Sequence, residues 1–314
     1  MNCLNLRLLI IHTSHKPAFP HVDESTEYSR FAACRSNQPF DEEKKVNHST
    51  ILSRIVFTSL AYVLLISNPC MGQIVCPGSY GGHLQGITID NSKAIYWSFT
   101  TELVKTDANG KLLIKRAVPT HHGDLTYHDG NIYVAVNLGE FNKESGYAKS
   151  WVYIYDAEEL NLVSRYSTQE VVHGAGGIDY HNNSFYVVGG LPKGHIENYI
   201  FEYDKDFKFL KKHTIKSGYT LMGIQTACYA QGYWWFGCYG KPRLLKTDKS
   251  FKLLGKYDFD CALGICQLTD DKLLIGRNLG SNSRRGQVLS AKLDQIKGLA
   301  IVKETSNKGV EPTR

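Results

Sequence analysis

Apolar and polar positions follow one unit that returns five times between residues 85 and 294. Each unit opens on a short segment built around a glycine: QGITID at Gly86, HGDLTY at Gly123, GGIDYH at Gly177, MGIQTA at Gly223 and LGICQL at Gly264. A polar turn comes next, such as HDGN at 128–131 or HNNS at 181–184. Asp-Gly and Asn-Asn supply the positive φ that two-residue hairpin turns require. A second segment follows (AIYWSF, NIYVAV, SFYVVG, YWWFGC, KLLIGR). It mixes alternation with continuous apolar runs, as strands covered on both faces do. After a loop of variable length, a third segment ends in Asp107, Asp156, Asp204, Asp248 and Asp294, which stand 49, 48, 44 and 46 residues apart. Each aspartate starts a turn into a fourth segment such as KLLIKRAV or FKLLGKY.

Four antiparallel strands in every ~45 residues, repeated without an intervening amphipathic helix, predict an all-β fold, a single β-propeller. Residues 73–305 hold five four-stranded blades. Six is the alternative, if residues 74–83 pair with the C-terminal strand as more than ring closure. A single blade cannot bury its faces alone, so the fifth must pack on the first.

The remaining chain reads differently. Residues 55–66 are apolar and uncharged, with Lys44, Lys45 and Arg54 before them and Gly72 at a plausible cleavage site. Twelve residues fall short of the ~20 that a spanning helix needs. Residues 46–72 are therefore expected to be a cleaved secretory signal, with a membrane anchor through 55–66 as the alternative. Residues 1–45 show no lasting period and are expected to be disordered or a gene-model extension. Residues 306–314 form a polar, flexible tail. The expected location is secreted or periplasmic.

Composition narrows the function little. Of 314 residues, 42% are hydrophobic and 21% charged, which excludes a polytopic membrane protein and a wholly disordered chain. A net charge of +6 is mild and implies no nucleic-acid partner. Five of the eight cysteines lie beyond residue 72: Cys76, Cys228, Cys238, Cys261 and Cys266. Their spacing fits no zinc pattern, and they read as buried small apolar residues, with one disulfide among the last four left open.

The blade rhythm, together with Leu84-Gln85-Gly86-Ile87, resembles the secreted propellers that include NHL-repeat proteins, the SMP-30/gluconolactonase-like family and the glutamine cyclotransferase family. The tetrapeptide is similar to the Q-G-L segment opening a cyclotransferase blade. That resemblance implies a five-bladed fold. It matches the family in kind at Gln85 and Gly86 and carries no catalytic residue across.

Topology places a candidate site. The loops before the first strand and after the second share one face of a propeller. The longest loops follow the second strand, at 137–150, 189–198 and 278–286. They bring Asn137, Glu140, His195 and Asn278 as candidate ligand-binding residues, with Gln85 and Gln225 at the strand entries. His83, His121, His122 and His173 lie before first strands in three blades. Imidazoles converging from separate blades can hold one divalent metal with open positions, and Asp124 is then the candidate general base. Asp179 and Gln267 are expected at comparable depth. His128 and His181 read as surface residues in the opposite turns. One of Trp234 and Trp235 is expected to pack between blades. Lys208, Lys211, Lys212 and His213 read as a solvated outer face. Three readings follow. The first is an exported propeller binding a small molecule, glycan or protein at the loop face, touching a membrane only through 55–66. The second is a metal-assisted lyase or hydrolase. The third is the acyl chemistry of the glutamine cyclotransferases that the resemblance implies.

Overall fold

The computed structural model describes residues 73–280 and 284–302. The expectations for residues 1–45, 46–72 and 306–314 lie outside them. Among the described residues the strands form five antiparallel sheets and no helix. Blade 1 runs Leu84–Ile89, Ile95–Phe99, Glu102–Thr106 and Leu112–Ala117 from axis to rim. Blade 2 is His122–His128, Asn131–Asn137, Ser150–Asp156 and Leu162–Ser167. Blade 3 is Ala175–His181, Ser184–Gly189, Asn198–Tyr203 and Phe209–Ile215. Blade 4 is Thr226–Ala230, Tyr233–Gly237, Leu244–Thr247 and Leu253–Tyr257. Blade 5 is Ile265–Thr269, Lys272–Asn278 and Gly286–Asp294, edged by Gly298–Ile301.

The ring is closed by both ends of the propeller. Ile74 and Val75 pair with Val288 and Gln287 in the third strand of blade 5. Gly298–Ile301 pairs further along the same strand, from Asp294 to Ala291. The N-terminal strand has two residues, so it is ring closure and the blade number is five. The innermost strands neighbour one another in order, and the last neighbours the first.

The core is five slabs between blades. One joins Leu84, Ile87, Trp97 and Phe99 of blade 1 to Leu268, Leu274 and Val288 of blade 5. The others repeat this at each boundary. Trp234 packs toward blade 3 and Trp235 toward blade 5. Adjacent residues on a strand face opposite ways, so both indoles lie between blades rather than one. The five cysteines are buried and unpaired, so the possible disulfide does not form.

The repeating aspartates hold the outer hairpins. Asp107, Asp204 and Asp248 each accept two backbone N–H bonds on Oδ1, from the residues two and four further on, at 2.8–2.9 Å. Asp294 accepts from Ile296 and Lys297, and Asp156 from Glu159 and Asn161. The N–H of Lys252 holds the Asp248 carboxyl below its usual range. Each turn then needs one residue at positive φ. Blades 1 and 5 use Gly110 and Gly298, while blades 2, 3 and 4 use Leu160, Phe207 and Phe251. A left-handed residue with a Cβ costs roughly 1–2 kcal/mol. Burial of these three side chains between blades offsets it. Phe207 stacks on Phe185 with ring centroids 4.7 Å apart.

Phe207 therefore offers a test of that balance. Phe207→Ala loses the packing, at about 3–5 kcal/mol, and keeps the backbone strain. Phe207→Gly loses the same packing and relieves the strain. In urea titrations Phe207→Gly is expected to be at least as stable as Phe207→Ala, the reverse of the usual order at buried strand positions.

Candidate functional site

A cavity of about 270 Å³ opens at the mouth that carries the long loops. Its polar wall is His83 and Gln85 of blade 1, His121 before blade 2, and Gln225 and Tyr239 of blade 4. Its apolar wall is Phe141 and Met222, with Ala175 and Gly176 at the entry to blade 3. All these residues precede or begin a first strand, or follow a second strand, as the topology requires.

Gln85 is the centre of the polar wall. Its amide nitrogen stands 2.9 Å from His83 Nε2 and 3.1 Å from His121 Nε2. Both ring nitrogens accept from the amide, which leaves the ring protons on Nδ1. Tyr239 brings its hydroxyl to 3.3 Å from His83 Nε2. Burial lowers the pKa of His83, and burial and then His83 lower that of His121. Burial pushes the Tyr239 phenol up to about 12. Gln225 lines the opposite side, its amide donating to the Met222 carbonyl at 2.6 Å. No acidic or cationic side chain lines the cavity. The site is thus neutral, hydrogen-bonding on one side and apolar on the other.

The four candidate metal ligands part company. His83 and His121 meet at Gln85. His122 turns outward, 0% exposed. Its Nδ1 lies 2.7 Å from the Pro119 carbonyl and its Nε2 2.7 Å from the Tyr155 hydroxyl. A carbonyl only accepts, so Nδ1 donates and Nε2 accepts from the phenol. Burial lowers the His122 pKa to about 4. The reason is strand geometry: His121 and His122 are adjacent, and the pairing of the innermost strand is irregular between His122 and Leu125. His173 donates from Nδ1 to the Lys143 carbonyl at 2.8 Å and stands edge-on to His195, with ring centroids 5.0 Å apart. Among the described residues no group of three or more His, Cys, Asp or Glu stands close enough to hold a metal ion.

The remaining candidates are mostly builders of the loops. His195 pairs with Glu144 at 3.2 Å, and Asn142 Oδ1 accepts from the Leu191 N–H, so the two long loops are clipped together. That clip sets Phe141 over the cavity. Asn137 accepts on Oδ1 from Lys149 and donates to the Gly139 carbonyl, closing its own loop. Glu140 is exposed and 3.9 Å from Lys143. Asn278 Oδ1 accepts from the Leu84 N–H and joins blade 5 to blade 1. Asp124 is 0% exposed and does not line the cavity. Its Oδ2 accepts from the Ala227 N–H at 3.1 Å, so it braces blade 2 against blade 4. Burial raises its pKa well above the carboxylate range.

Asp179 and Gln267 line the opposite mouth rather than this one. Burial raises Asp179 to about 6, although it accepts from Tyr229 N–H and Thr126. His128 and His181 are not free surface residues. Each stacks on a tyrosine of the next blade, His128 on Tyr180 at 3.6 Å and His181 on Tyr229 at 3.5 Å. Phe141, Met222 and Tyr239 were missed in sequence. Tyr239 directly follows YWWFGC, so the rule that placed the other loops could have found it.

No protein-family model matches the chain, and no curated protein matches it in sequence. In fold it is similar to the glutaminyl cyclase of Myxococcus xanthus, with a TM-score of 0.51 and 11% identity over 74% of this chain and 95% of that one. More distant are the Pan2 WD40 domain of Neurospora crassa (TM-score 0.39, 11% identity, 68% of this chain and 64% of that one) and BamB from Moraxella catarrhalis (0.36, 14%, 70% and 61%). At these identities the likeness is one of fold.

His122 makes a measurable prediction. A folded-state pKa below the free value means its stabilisation is present above about pH 6.5 and is lost as pH falls toward 4. Asp124 and Asp179 work in the opposite sense, since their raised pKa values favour the fold at low pH. The stability gap between the parent and His122→Gln isolates the histidine. Measured by urea titration, that gap is expected to shrink by on the order of 3 kcal/mol between pH 7 and pH 4.

Proposed function

We propose that the protein is an exported β-propeller that binds a small, uncharged ligand in the loop-side mouth cavity. The observation that carries this is the neutral cavity itself: His83, Gln85, His121, Gln225 and Tyr239 face Phe141 and Met222 with no charged group between them. Amide and hydroxyl groups of a ligand meet the first set, and an apolar portion meets the second. Uncharged peptide termini, amides and sugars fit that description. A strong anion or cation does not, because nothing there would compensate its desolvation. Export rests on the basic and apolar character of residues 44–66; no helix among the described residues is long and apolar enough to cross a membrane. The metal-assisted reading needs convergent ligands, and the chain brings only His83 and His121 of its four imidazoles to the cavity.

A second reading is glutamine cyclotransferase-like chemistry, favoured by two neutral imidazoles lining the mouth cavity and by the fold shared with a glutaminyl cyclase. In that reaction the α-amine nitrogen bonds to the side-chain amide carbon and ammonia leaves. The proton lost by the amine must reach the leaving nitrogen. A neutral imidazole such as His121 can carry it.

Calorimetric titration of the chain with N-acetyl dipeptide amides, neutral disaccharides and a glutaminyl-alanine dipeptide tests both. One uncharged class is expected to bind saturably, and Gln85→Ala/Gln225→Ala to weaken it at least tenfold. Equal binding by the parent and this variant would remove the cavity from the account. Ammonia release from the glutaminyl dipeptide, lost in His121→Ala, would select the second reading over simple binding.

A further inference from the structure

A separate cavity of about 290 Å³ lies on the outer side of the ring, where blades 1 and 2 meet. Arg116, from the outer strand of blade 1, and Arg165, from the outer strand of blade 2, both line it. Tyr153 and Tyr155 form its aromatic wall, and Val118 and Leu160 its apolar floor. No carboxylate side chain lines it.

The two guanidiniums are held in place but not neutralised. Arg116 Nη2 donates to the Glu159 carbonyl at 2.8 Å and to Asn161 Oδ1 at 3.1 Å, both uncharged acceptors. Arg165 lies over Trp151 and Tyr153, 5.7 and 5.9 Å from the ring centroids. Among the described residues neither takes part in an ion pair. Two cations are thus fixed by neutral contacts at the edge of one pocket.

The tyrosines divide the remaining work. The Tyr155 hydroxyl gives its proton inward to His122 Nε2, since His122 spends its own proton on the Pro119 carbonyl. The Tyr153 hydroxyl accepts from Arg165 Nη1, at 3.4 Å. Its own proton is then free to be donated into the cavity. Donors therefore outnumber acceptors: two guanidinium forks and one phenol face the pocket. Charge-assisted bonds of this kind are the stronger class; Arg116 and Arg165 are themselves exposed, while Tyr153 and Tyr155 beside them are 2% and 3% exposed.

We propose that this groove is a second binding site, for a small organic anion: a carboxylate or phosphate ester carried on an apolar or aromatic body. The anionic head sits between Arg116, Arg165 and the Tyr153 hydroxyl. The apolar body lies on Val118, Leu160 and the tyrosine faces. The site is independent of the mouth cavity: His121 lines the mouth, while its neighbour His122 is buried behind the groove and reaches it only through the Tyr155 hydroxyl.

The test is calorimetric titration of the full chain with 2-naphthoate and 2-naphthyl phosphate, and of its Gln85→Ala/Gln225→Ala variant, whose mouth no longer takes amides, with the uncharged isostere 2-naphthamide. An anion is expected to bind at one site, at least tenfold more tightly than the amide, and less tightly as salt is added. The stronger of the two anions identifies the head group. Arg116→Gln/Arg165→Gln is expected to lose at least tenfold in affinity and Tyr153→Phe several-fold, with parent-like circular dichroism. Tyr153→Phe and the salt response carry the test if the double variant does not fold. Gln225→Ala, at the mouth, is expected to bind the anion as the parent does. Anion and amide binding alike, no saturable binding of either anion, an unchanged double glutamine variant, or loss of anion binding in Gln225→Ala each overturns the proposal.

Discussion

Every blade of this protein has two apolar faces, and neither can be left to water. The sheet between them is only four strands wide, so each face must be covered by the neighbouring blade. Five slabs of buried side chains result, one at each boundary. The constraint is circular: the face of blade 5 is satisfied only when blade 1 arrives. That is why the two ends of the propeller, Ile74–Val75 and Gly298–Ile301, share one edge of one strand. Closure is also what brings the mouth residues together around one cavity, since they belong to blades far apart in sequence.

Closure crowds the axis. The first strands converge there, and their backbones approach closely enough that a side chain is excluded at several points. A Cβ on Gly86 would come within 2.4 Å of Asp124 Oδ1, and one on Gly123 within 2.4 Å of the Gly176 carbonyl. The repeated inner glycines are therefore a packing requirement of the ring. Asp124 crosses this crowded zone to the Ala227 N–H. The loop-side cavity and the pocket at the opposite mouth consequently have separate linings, with different chemistry.

The blade rhythm was legible because it is carried by local chemistry. Each turn aspartate bonds N–H groups within five residues of itself, so its spacing reports the hairpins directly. The second strands were legible for a similar reason: strands buried on both faces leave long apolar runs. That the long loops and the strand entries share one mouth followed from topology alone. Side-chain direction at the strand entries did not. Pairing is irregular at Leu84/Gly86, His122/Leu125 and Ala175/Gly177, and each irregularity re-aims the residues beside it. His121 and His122 read as equivalent in sequence, yet His121 lines the mouth and His122 is buried against Tyr155. His128 and His181 read as exposed because their tyrosine partners come from the next blade, 52 and 48 residues away.

The two cavities show how one frame yields unlike sites. The mouth is built from strand entries near the axis, where burial suppresses charge: His83 and His121 are driven toward the neutral form, and no ionised side chain is admitted. The groove between blades 1 and 2 is built where the outer strands begin to separate. Long cationic side chains there can keep contact with water while their stems and planes lie on aromatic rings. His122 links the two regimes. It is buried like the mouth histidines, yet its role is to commit the Tyr155 proton and so fix which hydroxyl of the groove still has one to give. Distance from the axis, more than residue type, decides whether a polar side chain on this ring is a neutral hydrogen-bonding group or a charge.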